Sequence, residues 1–303
     1  MTELIPLVPN DPASTPSARL PRPAWLKARA PTGEDYQDVH RLMREQRLNT
    51  VCEAAHCPNM GECWNHRTAT FLLLGDTCTR GCRYCAITKG KPQPIDEAEP
   101  ERVAASVAHL HLRFAVLTSV NRDDAPDGGA HIFARTIELI RQREPACKVE
   151  VLIPDFDGNW AALQVVLEAR PDVLNHNIET VPRIFRRFRP RASFQQSLEL
   201  LARAHAFDPQ MITKSGMLVG AGETNAEVLE VLTALRSAEV QVLTIGQYLA
   251  PDSSYWPIER YVTPAEFAAF QAEGLRRGFR HVESGPLVRS SYNAHQHVAA
   301  PQH

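Results

Sequence analysis

The chain alternates short apolar segments, typical of buried strands, with longer segments of helical periodicity. The strand-like segments are rich in β-branched residues and are flanked by residues that break regular structure. We predict six strands, at 70–74, 114–119, 149–154, 172–177, 211–218 and 240–245. Helices are predicted between them, at 101–112, 129–143, 160–169, 193–206 and 225–237. Strands that alternate with helices form parallel βαβ units, so the predicted fold class is α/β.

Six such units are fewer than the eight of a closed TIM barrel, which predicts a partial (βα)6 barrel of the TIM type. We expect it to span residues 70–282, between an N-terminal extension (34–69) and a C-terminal extension (283–303). Residues 1–33 are rich in Pro, Ser, Thr and Arg, and we interpret them as a flexible arm. Active sites on such scaffolds lie at the C-terminal ends of the strands.

Composition narrows the class of protein. The formal net charge is −2 over 303 residues, so the overall charge indicates neither a nucleic acid nor an anionic membrane as partner. No apolar run reaches the roughly 20 residues of a spanning helix, and the first residues lack a secretory pattern. We therefore expect a cytoplasmic protein, with an organellar matrix as the alternative.

Six of the seven cysteines lie between Cys52 and Cys85. In a reducing compartment, clustered cysteines are more often metal ligands or redox groups than disulfide partners. The seventh, Cys147, stands apart and is predicted to be a small buried apolar residue.

The loop after the first strand carries Cys78, Cys82 and Cys85, here called the loop triad. Three thiolates at the spacing C-x3-C-x2-C can hold three irons of a [4Fe–4S] cube and leave the fourth iron open to a small molecule. A structural zinc ion is the alternative, but it normally takes four ligands, and the fourth would have to come from a distant His.

Upstream of this loop lie Cys52, Cys57 and Cys63, here called the upstream triad. Their spacing, C-x4-C-x5-C, is ambiguous by itself, because His56 or His66 could complete a zinc site. The position just before the loop triad favours an auxiliary iron–sulfur cluster.

The loop triad, placed after the first strand of a βα array, resembles the signature of the radical-SAM superfamily. The upstream triad lies in the pattern C-E-x-A-x-C-P-N-x-x-E-C-W, which resembles that of lipoyl synthases. The similarity runs from about residue 23 to 294 and includes the blocks 118–124, 154–156, 175–180, 213–217, 246–249 and 285–292. The chain departs from the family pattern at 250–252, at 255–258 and at Asn121. These departures lie outside the cluster ligands, so they affect the expected substrate or partner contacts and not the expected chemistry.

The resemblance implies sulfur insertion at C6 and C8 of an octanoyl chain that is amide-linked to a lysine of a carrier domain, with the lipoyl group as product. It implies two [4Fe–4S] clusters, with S-adenosylmethionine (SAM) as cosubstrate. The loop-triad cluster would cleave SAM to methionine and a 5′-deoxyadenosyl radical. The upstream-triad cluster would donate the sulfur and be consumed. In the family, the second serine of the RSSY motif, here Ser291, is the fourth ligand of that auxiliary cluster.

The resemblance also suggests which polar residues bind SAM: Thr118, Ser119, Asn121, Arg122, Asn175, Glu179, Gly216 and Glu223. Lys214 is interpreted either as a proton donor or substrate contact or as a solvated lysine. The implied partners are octanoylated lipoyl carrier domains (the E2 component of 2-oxoacid dehydrogenases or the glycine cleavage H protein), a flavodoxin or ferredoxin as low-potential electron donor, and iron–sulfur assembly proteins.

Two other functions compete with this interpretation. One is another two-cluster radical-SAM enzyme, similar to biotin synthase or to a methylthiotransferase. The other is a non-catalytic zinc-binding interaction module. The context of the upstream triad and the RSSY motif near the C-terminus favour the lipoyl synthase interpretation over both.

Overall fold

The computed structural model describes residues 20–27, 33–55, 57–65 and 70–297. Its centre is an eight-stranded sheet with the strand order β1-β2-β5-β6-β7-β8-β9-β10. All neighbouring strands in it are parallel except the antiparallel pair β1 and β2, and β3 and β4 form a small separate parallel pair. The strands are β1 (Asn49–Thr50), β2 (Thr70–Leu73), β3 (Thr77–Cys78), β4 (Thr88–Lys89), β5 (Phe114–Ser119), β6 (Lys148–Leu152), β7 (Val173–Asn175), β8 (Ile212–Val219), β9 (Val242–Gln247) and β10 (His281–Gly285).

Helices connect the parallel strands, as crossovers between parallel neighbours require. They are α1 (Glu34–Glu45), α2 (Val51–Ala54), α3 (Met60–Asn65), α4 (Glu99–His109), α5 (Ala130–Arg143), α6 (Trp160–Glu168), α7 (Pro182–Phe188), α8 (Phe194–Phe207), α9 (Asn225–Ser237), α10 (Pro264–Arg276) and α11 (Ala294–His297), with a 3₁₀ turn at Phe156–Gly158. Within the described ranges, no helix has the length and apolar character needed to cross a membrane.

The predicted α/β class and partial barrel are confirmed. All six predicted strands are present, and the sheet runs from β1 at one edge to β10 at the other without closing, as far as the described strands show. The structure adds the unpredicted unit α10–β10, whose strand straddles the boundary that we placed at residue 282. Strand β10 escaped prediction because it is an edge strand in which only Val282 is buried, so its sequence lacks a continuous apolar run.

The C-terminal segment enters the concave face of the sheet. Inward side chains of β5, β7, β8 and β9 form one buried cluster with Ala294 of α11. In a flat sheet β5 and β9, four positions apart, would lie about 19 Å from each other, so a shared cluster indicates a curved sheet. Glycines allow the segment to approach, because a Cβ at Gly246 would lie 2.1 Å from the carbonyl oxygen of Val288. The segment that contains Ser291 is therefore held against the strands.

In the N-terminal extension, helix α2 contacts strands β1 and β2. Helix α1 packs on α3, where the indole of Trp64 is fully buried and stacks on Tyr36 with ring centroids 5.1 Å apart. The side chain of Asn59 donates a hydrogen bond of 2.7 Å to the carbonyl of Leu287. This bond joins the N-terminal extension to the C-terminal extension, which brings two distant parts of the sequence to one place.

Candidate active site

The loop triad follows β2 directly. The chain turns through left-handed backbone at Leu74 and Gly75, and the pairing of β3 with β4 then closes the loop that holds the three cysteines. The Sγ atom of Cys78 accepts two backbone N–H groups, from Arg80 and Asn121, each at 3.4 Å. Such donors stabilise a thiolate and tune the potential of a cluster bound to it.

A buried arginine anchors this loop to the neighbouring strands. The guanidinium of Arg80 donates to both carboxylate oxygens of Asp123 at 2.8–3.1 Å and reaches Asp155 at 2.7 Å. Asp123 follows β5 and Asp155 follows β6, so one side chain joins the ends of three elements of the site. Sequence reasoning did not select Arg80, because an Arg between two cysteines is indistinguishable in sequence from a solvated one.

The upstream triad lies on α2, on the turn after it and on α3. Helix α2 begins at the N-cap Thr50, whose hydroxyl accepts the backbone N–H of Glu53, and it carries Cys52. Cys57 follows in the turn, and Cys63 lies on α3. Their position above β2 places them next to the loop that carries the other triad.

The thiols of each triad lie close enough to influence one another's ionisation. Burial raises the pKa of Cys52 to about 11 and that of Cys63 to about 12, and in both the charge of upstream-triad neighbours adds to the increase. Burial likewise raises the pKa of Cys85 to about 12, with Cys82 and Cys78 contributing. Thiols with such values are protonated at neutral pH, so metal binding must release protons.

Both triads open onto one cavity of about 570 Å³ at the C-terminal ends of the strands. Five of the six triad cysteines line it together with Ser291, and Cys63 is absent from its described lining. The walls also include apolar side chains, among them Leu72, Ile87 and Leu249. The cavity therefore combines thiol ligands with an apolar surface that could hold an aliphatic chain.

The predicted SAM-binding residues divide into two groups. Those that line the cavity are Thr118, Ser119, Asn121, Glu179 and Gly216. The other three do not line it in the described part of the chain, and their side chains bind neighbours: Arg122 binds Asp124, Asn175 donates to Glu150, and Glu223 accepts the N–H groups of Gly220 and Ala221.

Further residues that line the cavity were not predicted, among them Arg189 and Tyr84. Arg189 is buried and donates to the carbonyl of Asn177 at 2.8 Å, while its Nε finds no partner among the described residues. Near it, burial raises the pKa of Glu179 although Arg189, Asn177 and Tyr84 act in the opposite direction. Arg189 belongs to a run of arginines on and after α7, and only the fold shows that this one turns inward.

The two serines of the RSSY motif have different surroundings. Ser290 exchanges hydrogen bonds with the side-chain amide of Asn177, at 2.7 and 3.0 Å. Ser291 lines the cavity, and its hydroxyl has no hydrogen-bond partner in the described part of the chain. The second serine is therefore the one whose oxygen is available to a ligand.

Two other candidates lie away from the cavity lining. Lys214 is fully buried and bonds both carboxylate oxygens of Glu150 at 2.8–2.9 Å, so the interpretation as a solvated lysine is wrong. A role as proton donor or substrate contact stays a prediction. Cys147 is 4% exposed and belongs to the hydrophobic core, as predicted.

The donor set fits iron–sulfur clusters. Each triad supplies three thiols, the soft ligands that iron–sulfur clusters use, and each has ligands facing open space in the cavity. Over residues 20–27, 33–55, 57–65 and 70–297, no three side chains of His, Cys, Asp or Glu converge on a point for a single metal ion. An iron–sulfur cluster at the loop triad would be held by Cys78, Cys82 and Cys85, and one at the upstream triad by Cys52, Cys57 and Cys63.

Comparison with solved structures shows the same fold. The iron–iron hydrogenase maturase HydG from Carboxydothermus hydrogenoformans matches with a TM-score of 0.59 and 13% identity, over 86% of this chain and 68% of that one. Streptococcus suis SuiB bound to S-adenosylmethionine matches with a TM-score of 0.54 and 7% identity, over 80% of this chain and 52% of that one.

Sequence comparison is more specific. The family model for the radical SAM superfamily matches residues 72–235, and that for the N-terminal domain of lipoyl synthase matches residues 12–57. The lipoyl synthase of Chloroflexus aggregans is 76% identical over 307 residues, and that of a Roseiflexus species is 75% identical over 303 residues, each covering both chains completely. Together with the cavity and its thiols, these matches show that the chain belongs to the lipoyl synthase family of radical-SAM enzymes.

Proposed function

We propose that this enzyme inserts sulfur at C6 and C8 of an octanoyl chain attached to a carrier-domain lysine, with the auxiliary cluster consumed as the sulfur source. The observation that carries the proposal is the shared cavity: cysteines of both triads and Ser291 face one space with apolar walls. An unactivated methylene offers no acidic proton and no leaving group, so side chains alone cannot activate it. When bound, the loop-triad cluster supplies reductive cleavage of SAM, and the upstream-triad cluster supplies sulfur.

The residues that line the cavity would bind SAM beside the loop triad. Ser119 has a buried hydroxyl without a partner among the described residues, so it can bond a polar group of the ligand without losing an existing contact. The guanidinium of Arg189 provides positive charge for a carboxylate, and Glu179, Thr118 and Asn121 add polar groups around it. Arg122, Asn175 and Glu223 would support the cavity from behind.

Ser291 would complete the auxiliary cluster as its fourth ligand. Two contacts position it: Asn59 of the upstream segment binds the carbonyl of Leu287, and Val288 packs on Gly246. An oxygen ligand holds iron less firmly than a thiolate does, which suits a cluster that must be opened.

For the partners and location, we propose octanoylated E2 and H-protein carrier domains, a flavodoxin or ferredoxin as electron donor, iron–sulfur assembly proteins, and the cytoplasm or an organellar matrix. The apolar cavity walls support the choice of an acyl group. Another sulfur-inserting radical-SAM activity would share the loop triad but not the upstream pattern and RSSY.

The test compares Ser291→Ala with Ser290→Ala, two adjacent substitutions of the same size. We expect Ser291→Ala to cleave SAM and to form little or no lipoyl product. Ser290→Ala loses its bond to Asn177 but keeps the proposed ligand, so it should keep most product formation. The measurement is 5′-deoxyadenosine and lipoyl product from an octanoylated carrier peptide under anaerobic conditions. A normal product yield from Ser291→Ala would refute the ligand role.

A further inference from the structure

An arginine–tryptophan platform lies on the outer side of the loop triad. It consists of Arg83, Arg187 and Trp256, and each guanidinium carbon lies 5.4 Å from the centre of the indole ring. The indole is only 6% exposed, whereas both arginines are exposed. Cation–π contacts of this kind hold the two charged groups in place at the surface.

The platform is bonded directly to the cluster loop. The backbone N–H of Arg83 donates to the carbonyl of Phe188, and its carbonyl accepts the N–H of Trp256, both at 2.9 Å. Arg83 lies between Cys82 and Cys85 in the sequence, so the platform surface is within two residues of two cluster ligands.

Aromatic rings connect the platform with the interior. Tyr84 stacks on Phe188 with centroids 4.6 Å apart and an interplanar angle of 12°, and Phe188 meets Trp256 edge-on at 5.5 Å. Tyr84 lines the cavity, whereas Arg83, Arg187 and Trp256 are absent from its described lining. The rings therefore form a wall with the cavity on one side and the platform on the other.

Two arginines give the platform a positive charge. Among the residues that the structure describes, neither Arg83 nor Arg187 forms an ion pair, while Arg183 on the same helix α7 binds Glu227. The whole chain carries a formal net charge of −2, so the positive charge is a local feature. A fixed and unpaired positive surface attracts an acidic partner and raises its association rate.

From these observations we propose that the platform docks a small acidic one-electron carrier protein, the reductant that the proposed function requires. A docked carrier would give up one electron from its reduced flavin or iron–sulfur centre and be oxidised by one electron. A cluster held by Cys78, Cys82 and Cys85 would accept that electron. The octanoylated carrier domain must instead deliver its acyl group through the cavity, on the other side of the aromatic wall. Electron-transfer complexes are typically small and transient, which suits a platform of this size.

The test uses Arg187→Glu and Arg187→Gln, with Arg203→Gln as matched control. Arg203 also lies over an indole, 4.4 Å from the ring of Trp160, but on α8. Binding of a bacterial flavodoxin is measured directly, and 5′-deoxyadenosine formation is measured with reduced flavodoxin and with dithionite. At about 0.1 M salt, we expect Arg187→Glu to weaken flavodoxin binding about tenfold and Arg187→Gln to weaken it less, with the differences shrinking near 1 M salt. Rates with dithionite should stay within about twofold of wild type.

The proposal would be overturned if the Arg187 variants bound flavodoxin as tightly as wild type and Arg203→Gln do. It would also be overturned if they raised the KM for the octanoylated carrier and left flavodoxin binding unchanged. If Arg187→Glu misfolds and no longer forms 5′-deoxyadenosine with dithionite, the test rests on Arg187→Gln and Arg83→Gln. Their flavodoxin binding is then compared with that of wild type and Arg203→Gln. A wild-type enzyme that cleaves no SAM with dithionite would contradict the proposed function and leave the docking measurement valid.

Discussion

Replacing Arg80 with Met should destabilise the protein strongly. The guanidinium pairs with two carboxylates that are largely removed from water: the side chain of Asp155 is fully buried and that of Asp123 is 11% exposed. A third, Asp157, is exposed and lies 3.5 Å away. Breaking a buried ion pair by removing one partner costs about 3–5 kcal/mol, because the remaining charge is left without compensation. At about 2–4 °C per kcal/mol, this lowers the melting temperature by roughly 10 °C.

The matched control is Arg122→Met in the neighbouring loop. Arg122 bonds Asp124 at 2.8–2.9 Å, but the side chain of Asp124 is 41% exposed, so water can solvate it once the arginine is lost. We expect the drop in melting temperature to be less than half that of Arg80→Met. Iron content should also fall in Arg80→Met, because the anchored loop carries the proposed cluster ligands.

The pH dependence gives an independent check. Burial acts to raise the pKa of Asp155, but hydrogen bonds and charge from Arg80 outweigh it and lower the pKa below its usual value. In wild type this stabilisation is present above the unfolded pKa of about 4 and is lost as the pH falls below it. In Arg80→Met the largest opposing cause is gone, and burial outweighs the charge of His176 and the backbone hydrogen bond from Asp157. The pKa of Asp155 therefore rises, and protonation relieves the penalty. The stability gap between the two proteins should therefore shrink from pH 7 towards pH 4.

A double variant tests the cause. Asp155→Asn should recover part of the lost stability in the Arg80→Met background, although it destabilises wild type. The measurement is thermal unfolding of the anaerobically purified proteins by near-UV circular dichroism. Equal melting temperatures for Arg80→Met and Arg122→Met, or strictly additive effects of the two substitutions, would refute the reasoning.

Three further predictions concern other parts of the molecule. Gly246→Ala places a Cβ 2.1 Å from the Val288 carbonyl oxygen and should reduce lipoyl product at least about tenfold while SAM cleavage continues. The control Gly285→Ala, whose Cβ has its nearest contact at 3.4 Å, should leave the product yield unchanged. Burial raises the pKa of Glu99 from 4.5 to about 7, so wild type loses stability as the pH rises through that range. In urea unfolding, the free energy of unfolding of Glu99→Gln should exceed that of wild type by about 3 kcal/mol at pH 8 and equal it below pH 4. A difference that does not change with pH would contradict this. Cys147→Ser should keep the full iron content at a cost of about 1–2 kcal/mol, whereas loss of half the iron would show that Cys147 is a ligand.

The sequence predicted those features that local patterns encode. Periodicity located the six central strands. Two helices begin at residues of typical capping type, Asn159 and Thr224, whose side chains accept backbone N–H groups of the helices that follow. The cysteine spacing predicted which thiols group together. These features depend on residues near one another in the chain, so a single sequence contains the information.

Features that depend on distant contacts could not be predicted in this way. Nothing local distinguishes the buried Arg189 from its exposed neighbours on α7, and nothing indicates that Lys214 would find Glu150, which lies 64 positions earlier. The bond from Asn59 to Leu287 joins residues 228 positions apart. Tertiary packing decides each of these cases, because it sets which polar side chains lose water and which partners they meet.

The central claim is that the two triads perform separate tasks, and one anaerobic assay tests it most directly. Replacing all three cysteines of the upstream triad with Ala leaves the loop triad and the proposed SAM-binding residues unchanged. The measurement is the ratio of lipoyl product to 5′-deoxyadenosine formed from an octanoylated carrier peptide, with the corresponding loop-triad variant as reference. We predict that the upstream-triad variant makes 5′-deoxyadenosine but no sulfur-containing product, and that the loop-triad variant makes neither. Sulfur insertion by the upstream-triad variant would contradict the account.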